Sequence, residues 1–427
     1  MYKIIIMILL STIMLNASVM FGGMSFNKIP LQKDFLSISN GGTIPDSEVL
    51  SDGVGIFIFG SGNNSFNSLN INKALKSLNE NQLLTDKFTA EELKSILPQD
   101  TNTNTNANSC YGEPIGSIFN GLLVVDNTSI ITERDNGTDM STLCVSNVTN
   151  MSNLFKSASA PYVGSLSEWD VSHVLSMANM FNQYGYNIND NWSKWNVSNV
   201  QSFKSMFSWL DSVDININIS SWDISGAYDL SYMFYYALNF SEDISSWDIS
   251  HATNMKYMLS YTSFNSPVSN WNNKFAQNSA SVDLTGLFSN TRVFNQPVND
   301  WDISKVTSIK QLFNGTDFNQ PLDKWGPNIK NLTDLGYLFT NSKFNQDLSN
   351  WDVSNISSMK AMFMGSSFNQ DISNWDTSSV TNMYAMFYNN SFFDQDISTW
   401  NVANVTNSSS FDNGTLRSWT TAEKPTF

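Results

Sequence analysis

A tryptophan recurs along most of the chain at nearly constant spacing, and this recurrence restricts the fold more than any other feature. Successive members of the set lie 24 to 30 residues apart, about 26 on average. The set comprises Trp169, Trp195, Trp222, Trp247, Trp271, Trp301, Trp325, Trp351, Trp375 and Trp400. Self-similarity with a period of roughly 20–50 residues is typical of repeat architectures. We therefore predict a stack of similar units and not several globular domains.

Two further positions are apolar in every unit aligned on that tryptophan. The residue seven places before it, from Tyr162 to Phe393, is Phe, Tyr or Ile. The residue three places before it, from Leu166 to Ile397, is Leu, Ile, Val or Trp. A degenerate copy precedes Trp169 and has Leu143 at the tryptophan position, which gives eleven copies in all. We expect these columns to form the core.

The pattern within a unit predicts an α/β repeat. Ile372, Trp375 and Thr377 match the L-x-x-L-x-L pattern of a leucine-rich-repeat strand. The spacing of apolar residues over 356–363, after Ser354, fits one or two helical turns. One unit cannot bury its apolar face alone, whereas stacked units bury it continuously. The sequence thus predicts a leucine-rich-repeat-type solenoid of about eleven coils, each with a short parallel strand and a short helix.

Two cysteines flank the segment that precedes the repeats. Cys110 and Cys144 are the only cysteines of the chain, and in an exported protein such a pair favours a disulfide. Between them, Asn120–Gly121 is the signal of a two-residue hairpin. We predict an N-terminal cap stapled by a Cys110–Cys144 disulfide. Two free thiols are the alternative.

The first residues predict export. Lys3 precedes an apolar run, residues 4–15, and small residues follow at 17 and 18, a signal-peptide pattern. The alternative is an uncleaved anchor, but twelve apolar residues are fewer than the ~20 that span a membrane. The predicted divisions are a signal peptide (1–18), a small N-terminal region (24–99), a polar linker (100–109), the cap (110–142), the repeats (143–411) and a C-terminal tail (412–427).

Composition excludes several classes of partner and cofactor. The chain has 22 Lys and Arg against 38 Asp and Glu, a net charge of −16. Nucleic acids and anionic membranes need the opposite balance, so we predict no nucleic acid partner and no membrane insertion of the mature chain. Two His and two Cys are too few for a zinc cluster or haem. We predict a monomer without catalytic residues, metal or cofactor.

The residue after each tryptophan is the candidate binding position, because a strand would turn it outward. Six copies have aspartate there: Asp170, Asp223, Asp248, Asp302, Asp352 and Asp376. The other copies have Cys144, Asn196, Asn272, Gly326 and Asn401. One interpretation is an acidic stripe that meets a basic partner or divalent cations. The other is an Asx turn, for which Asp and Asn serve equally. The mixture of Asp and Asn favours the turn, and both can hold at once.

The repeat unit, written out for residues 368–387 as FNQDISNWDTSSVTNMYAMF, resembles the BspA-like leucine-rich-repeat surface proteins. The resemblance is strongest to their subgroup with a ~26-residue repeat, found in bacterial surface proteins and lipoproteins. It covers residues 110–411 and implies a secreted or surface-displayed solenoid, often linked to adhesion. No catalytic residues come with the family. Many relatives carry a lipid-anchoring cysteine or a wall-sorting signal, and this sequence shows neither.

Three functions follow as hypotheses. The first is recognition: a secreted or cell-surface solenoid that binds a surface or matrix protein, or a glycan, of a host or neighbouring cell through its sheet face. The second is a structural or shielding protein without a specific ligand, which the uniform outward column favours. The third is an enzyme with its site in residues 24–99, a segment without His or Cys.

Overall fold

The computed structural model describes residues 109–210, 215–272, 274–416 and 418–427, and the backbone of two earlier strands. The chain divides into two compact units, Met1–Asn104 and Thr105–Phe427. In the first unit, β1 (Ile6–Leu9) pairs antiparallel with β2 (Gly55–Ile58). Strand β1 lies within the segment predicted as a signal peptide. The other predictions for residues 1–108 fall outside the described residues.

The second unit begins with the cap. Strands β3 (Ile118–Phe119) and β4 (Leu122–Val124) form an antiparallel hairpin, and both turn residues between them have positive φ, as a type I′ turn requires. Strand β4 pairs in parallel with β5 (Leu143–Cys144), and helix α1 (Ser129–Asp135) lies between them in sequence. The Cys110–Cys144 disulfide is present, with the two Cα atoms 6.2 Å apart. The hairpin and the disulfide are therefore confirmed.

Successive repeats lie on one another in parallel register. Parallel bridges join one residue of most repeats to its equivalent in the next, as in Ser358 to Asn382 and Asn382 to Asn407. Two short parallel pairs extend this contact, β6 (Ile188–Asn189) with β7 (Ile215–Asn216) and β8 (Val282–Asp283) with β9 (Val306–Ser308). Helices α2 (Lys274–Gln277) and α3 (Gly326–Ile329) are short. Short 3₁₀ helices occur at Met140–Thr142, Ser269–Trp271, Asp323–Trp325 and Thr421–Glu423.

The prediction of a strand and a helix in each repeat is wrong. Residues 372–377 do not form a strand: 372–375 form a turn, in which the Trp375 N–H donates to the Ile372 carbonyl at 3.1 Å. Residues 360–365 form a run of turns and not a helix. Within this run, Ala361 adopts φ +52°. Its backbone N–H donates to the Tyr384 carbonyl of the next repeat at 2.8 Å. Alternate amides bond the neighbouring repeat in this way, so an i→i−4 helical ladder cannot form.

Two positions of every repeat adopt the left-handed conformation. The first column comprises Asn153, Asn179, Ser205, Tyr232, Tyr257, Gly286, Gln311, Tyr337, Ala361, Ala385 and Ser410. The second comprises Ser157, Gln183, Trp209, Tyr236, Tyr261, Asn290, Gly315, Asn341, Gly365, Asn389 and Gly414. A residue with a Cβ atom meets a cost of about 1–2 kcal/mol there, which Gly avoids and Asn often lowers by local hydrogen bonding. The bonds between repeats stabilise this conformation.

The core consists of the predicted columns. The repeated tryptophans are all buried, and several neighbouring indoles stack, as in Trp375 and Trp400, with centroids 6.2 Å apart. Most of these tryptophans also link two repeats, because the indole Nε1–H donates to a backbone carbonyl of the preceding repeat. For Trp325 the acceptor is the Val298 carbonyl, at 3.1 Å. Inside each later repeat, two phenylalanines stack at about 4 Å, such as Phe363 with Phe368 at 4.0 Å. The assignment of these columns to the interior is confirmed.

A column of asparagine side chains also joins the repeats. The Asn345 side-chain oxygen accepts the backbone N–H of Asn369 at 2.8 Å and the side-chain N–H of Gln370 at 3.0 Å. Equivalent bonds start from Asn265, Asn295, Asn319 and Asn369. Because each oxygen accepts two donors from the next repeat, the column contributes to register.

Residues 412–427, predicted as a tail, fold back on the last repeat. Trp419 is buried against Phe393, with ring centroids 4.9 Å apart, and its Nε1–H donates to the Gln395 carbonyl. The Ile397 N–H donates to the Glu423 carbonyl at 2.9 Å. These contacts cover the apolar end that a terminal repeat would otherwise expose.

Candidate functional site

The residue after each tryptophan forms an Asx turn wherever it is one of the six aspartates. Its carboxylate Oδ1 accepts the backbone N–H of the residue two places on; for Asp376 this is Ser378, at 3.0 Å. The same bond is present at Asp170, Asp223, Asp248, Asp302 and Asp352. Asn196 and Asn401 form it as well. The turn interpretation is therefore confirmed, and these bonds leave the carboxylate charge available to a partner.

The six carboxylates differ in what surrounds them. Asp223, Asp352 and Asp376 are exposed, whereas Asp170 is half-buried. Asp248 pairs with Lys274 at 3.1 Å. Cys144 lies in the disulfide, and Gly326 is buried at the start of α3. The predicted stripe is thus interrupted, and its most open part is the pair Asp352 and Asp376.

Hydrogen bonds lower the pKa of Asp352, Asp376 and Asp170. The Ser354 hydroxyl and then its backbone N–H lower the pKa of Asp352, while the charge of Asp376 opposes them. The Ser378 hydroxyl and N–H lower the pKa of Asp376 in the same way. Burial raises the pKa of Asp170, but hydrogen bonds from Ser172, Ser109 and Ser146 outweigh it and the net shift is downward. Both open carboxylates are therefore negative at neutral pH.

A second acidic column, which the sequence reasoning missed, lies four residues before the tryptophan. Its members are exposed and form their own Asx turns: Asp243, Asp347, Asp371 and Asp396. Hydrogen bonds from the Ser373 N–H and hydroxyl lower the pKa of Asp371. The recurrence of Asp at this position is visible in the sequence and could have been found there. Residues 347–376 thus display two columns, one on either side of the turn that carries the tryptophan.

These two columns can attract cations and basic groups, but they form no ligand set for a metal ion. Among the described residues, no group of three or more His, Cys, Asp or Glu side chains could hold one. Within the same residues, no helix is both long and apolar enough to cross a bilayer.

The fold and its columns define a repeat protein with units of about 26 residues, closed at its start by a disulfide-linked cap. The chain belongs to the family described as Mycoplasma protein of unknown function, DUF285. That family matches residues 126–218, 186–282, 209–325, 277–343 and 326–418. No curated protein and no solved structure matches the chain.

Proposed function

We propose that the protein is an exported or cell-surface recognition protein without catalytic activity. Its partner is a surface or matrix protein, or a glycan, of a host or neighbouring cell. In this proposal the repeats form a solenoid of about eleven coils of the BspA-like leucine-rich-repeat type. Export is supported by the apolar segment 4–15 behind Lys3.

One observation carries the proposal: two columns of exposed carboxylates run along residues 347–376, each set at the same place in its repeat. Hydrogen bonds from the hydroxyls and backbone N–H groups of Ser354 and Ser378 lower the pKa of Asp352 and Asp376 and so favour their charged form. Stacked repeats hold such groups in a fixed array, and a fixed array of like charges steers and orients a basic partner.

A structural or shielding role is the second candidate. Asn196 and Asn401 make the same turn as the aspartates, with bonds of 3.2 Å in both cases. Because an uncharged side chain serves the turn equally well, the column would persist in a protein that binds nothing. The experiment must therefore separate the charge from the turn.

The test replaces Asp223, Asp302, Asp352 and Asp376 with Asn, which keeps the Asx acceptor and removes four charges. Asp248 is left in place because its carboxylate is paired with Lys274. If the column recognises a partner, binding of the labelled full chain to intact cells and immobilised matrix proteins falls and loses its salt dependence. Folding, followed by circular dichroism, should not change.

A second variant removes the same number of charges from the second acidic column, with Asn at Asp243, Asp347, Asp371 and Asp396. Loss of binding in the first variant alone supports recognition by the column after the tryptophan. Equal loss in both variants means that both acidic columns contribute to binding. Unchanged binding in both leaves the structural role as the better account.

A further inference from the structure

Six aromatic side chains form a cluster on three successive repeats, which we call the aromatic patch: Trp209, Tyr232, Tyr235, Tyr236, Tyr257 and Tyr261. Tyr232 stacks on Tyr257 with centroids 5.2 Å apart, and Tyr236 lies 5.2 Å from Tyr261. Trp209 lies 4.8 Å from Tyr236 and is 46% exposed. Tyr235 packs edge-on against Trp209 and Tyr232. The rings are partly accessible and hold one another in place.

Five of these six residues occupy left-handed positions. Trp209, Tyr236 and Tyr261 have φ between +58° and +61°, and Tyr232 and Tyr257 have +58° and +51°. A bulky side chain with positive φ is a genuine outlier. Elsewhere the second column has only small or polar residues, among them Asn290, Asn341 and Asn389. An outlier kept against such a cost points towards function.

The ring chemistry and the charge indicate the partner. Tyrosine rings of a later repeat already bind a cation. The Nζ of Lys360 lies 5.4 Å from the centroid of the Tyr337 ring and 5.3 Å from that of the Tyr384 ring. Tyr337 belongs to the same left-handed column as Tyr232 and Tyr257. At the aromatic patch the nearby ammonium of Lys256 pairs instead with Asp283, at 3.1 Å.

We propose that the aromatic patch is a docking surface for a basic polypeptide segment, whose Arg and Lys side chains stack on the rings. Cation–π contacts are strongest with Trp and Tyr and with Arg, and Trp, Tyr and Arg dominate protein interfaces energetically. The net charge of −16 favours approach of such a segment. The inference rests on the proposed recognition role but uses a different surface from the acidic columns.

The test variant carries Trp209→Asn, Tyr236→Asn and Tyr261→Asn. Asparagine already occupies this column at Asn290, Asn341 and Asn389, so the variant should fold and melt at or above the wild-type temperature. The control variant, Tyr388→Asn with Phe392→Asn, removes two exposed aromatic rings from a later repeat. The probe is a fluorescein-labelled peptide of alternating Arg and Gly, and binding to the full chain is measured by fluorescence anisotropy.

We expect the wild type and the control variant to bind the peptide alike, and the triple Asn variant to bind about tenfold or more weakly. Equal binding by the folded triple variant would overturn the proposal. So would ring-dependent binding of neutral chitohexaose without binding of the Arg peptide, since the surface would then be a glycan site.

A further comparison separates this inference from the proposed function. The variant with Asn at Asp223, Asp302, Asp352 and Asp376 should keep most of its affinity for the peptide at 0.5 M salt, a condition that screens exposed charges. Loss in that variant, with none in the triple Asn variant, would support the acidic column and refute the aromatic patch.

Discussion

The indole hydrogen bond between repeats can be measured by comparing two tryptophans at the same place in their repeats. Trp271 and Trp325 are both fully buried, and each ends a short 3₁₀ helix. Trp325 Nε1–H donates to the Val298 carbonyl at 3.1 Å. The Nε1–H of Trp271 finds no acceptor among the described residues. Substitution by Phe removes the same three ring atoms from both sites.

The expected magnitudes follow from these contacts. The smaller ring costs about 2 kcal/mol at either site. Trp325→Phe also loses a hydrogen bond of about 1 kcal/mol; the Val298 carbonyl keeps its bond from the Trp301 N–H. We therefore expect about 3 kcal/mol of destabilisation. Trp271→Phe instead removes a buried N–H donor that has no partner, and this removal stabilises the folded state by about 1–3 kcal/mol. It offsets the cost of the smaller ring, so the net change in stability should lie within about 1 kcal/mol of zero.

The assay is guanidinium unfolding of the full chain at 25 °C, followed by circular dichroism because each variant has lost a fluorophore. The slopes of the unfolding curves must agree before midpoints are converted into free energies. Trp351→Phe is an independent replicate of the bonded case, since its Nε1–H donates to Leu322 at 3.1 Å. Equal destabilisation by Trp271→Phe and Trp325→Phe would refute the reasoning.

Three more predictions concern the cap, a close packing contact and the acidic column. Replacing Cys110 and Cys144 with Ser should destabilise the cap by about 3–4 kcal/mol, since the disulfide closes a 34-residue separation; chemical denaturation tests this, and reduced wild type is the control. Gly226→Ala should cost about 1–3 kcal/mol because its Cβ would lie 2.6 Å from the Ser198 carbonyl oxygen, whereas Gly185→Ala meets nothing within 4 Å and should be neutral by thermal melting. The lowered pKa of Asp352 and Asp376 adds stability that is complete above their unfolded pKa of about 3.9 and is lost as pH falls through the lower folded value. The variant with Asn at both positions should therefore lose less melting temperature than wild type between pH 5 and 2.5, and parallel curves would contradict this.

The sequence predicted the repeat, its core columns, the hairpin and the disulfide, because each has a local signal. The repeat period is set by Trp and Phe at fixed positions of the unit, and stacking the units buries those positions. The Asn120–Gly121 turn needs positive φ at both residues, and only a few residue types favour it. The Asx turns after the tryptophan were recognisable because both Asp and Asn occur at that position, and either residue can accept the hydrogen bond of the turn.

The backbone within a repeat was not predictable in the same way. The spacing of Met359, Met362 and Phe363 fits a helix, yet residues 360–365 form a run of turns. A helix would satisfy its amides internally, whereas here the Phe363 N–H donates to the Met386 carbonyl of the next repeat at 2.9 Å. Contacts between repeats decide the outcome, and a window of one repeat does not contain them. The packing of Trp419 on the last repeat is non-local for the same reason.

The left-handed columns explain why the aromatic patch, unlike the acidic columns, could not be recognised from the sequence. The backbone at Tyr236 is held by its N–H bond to the Ser260 carbonyl at 3.0 Å, and not by the side chain. Residues as different as Gly365 and Trp209 can therefore occupy one column. The cost of a Cβ atom at positive φ is local, about 1–2 kcal/mol, and the contact of Tyr236 with Tyr261 offsets about 0.5–1.5 kcal/mol of it. A repeat built this way can exchange its outward side chains without repacking its core, and the aromatic patch is one such exchange.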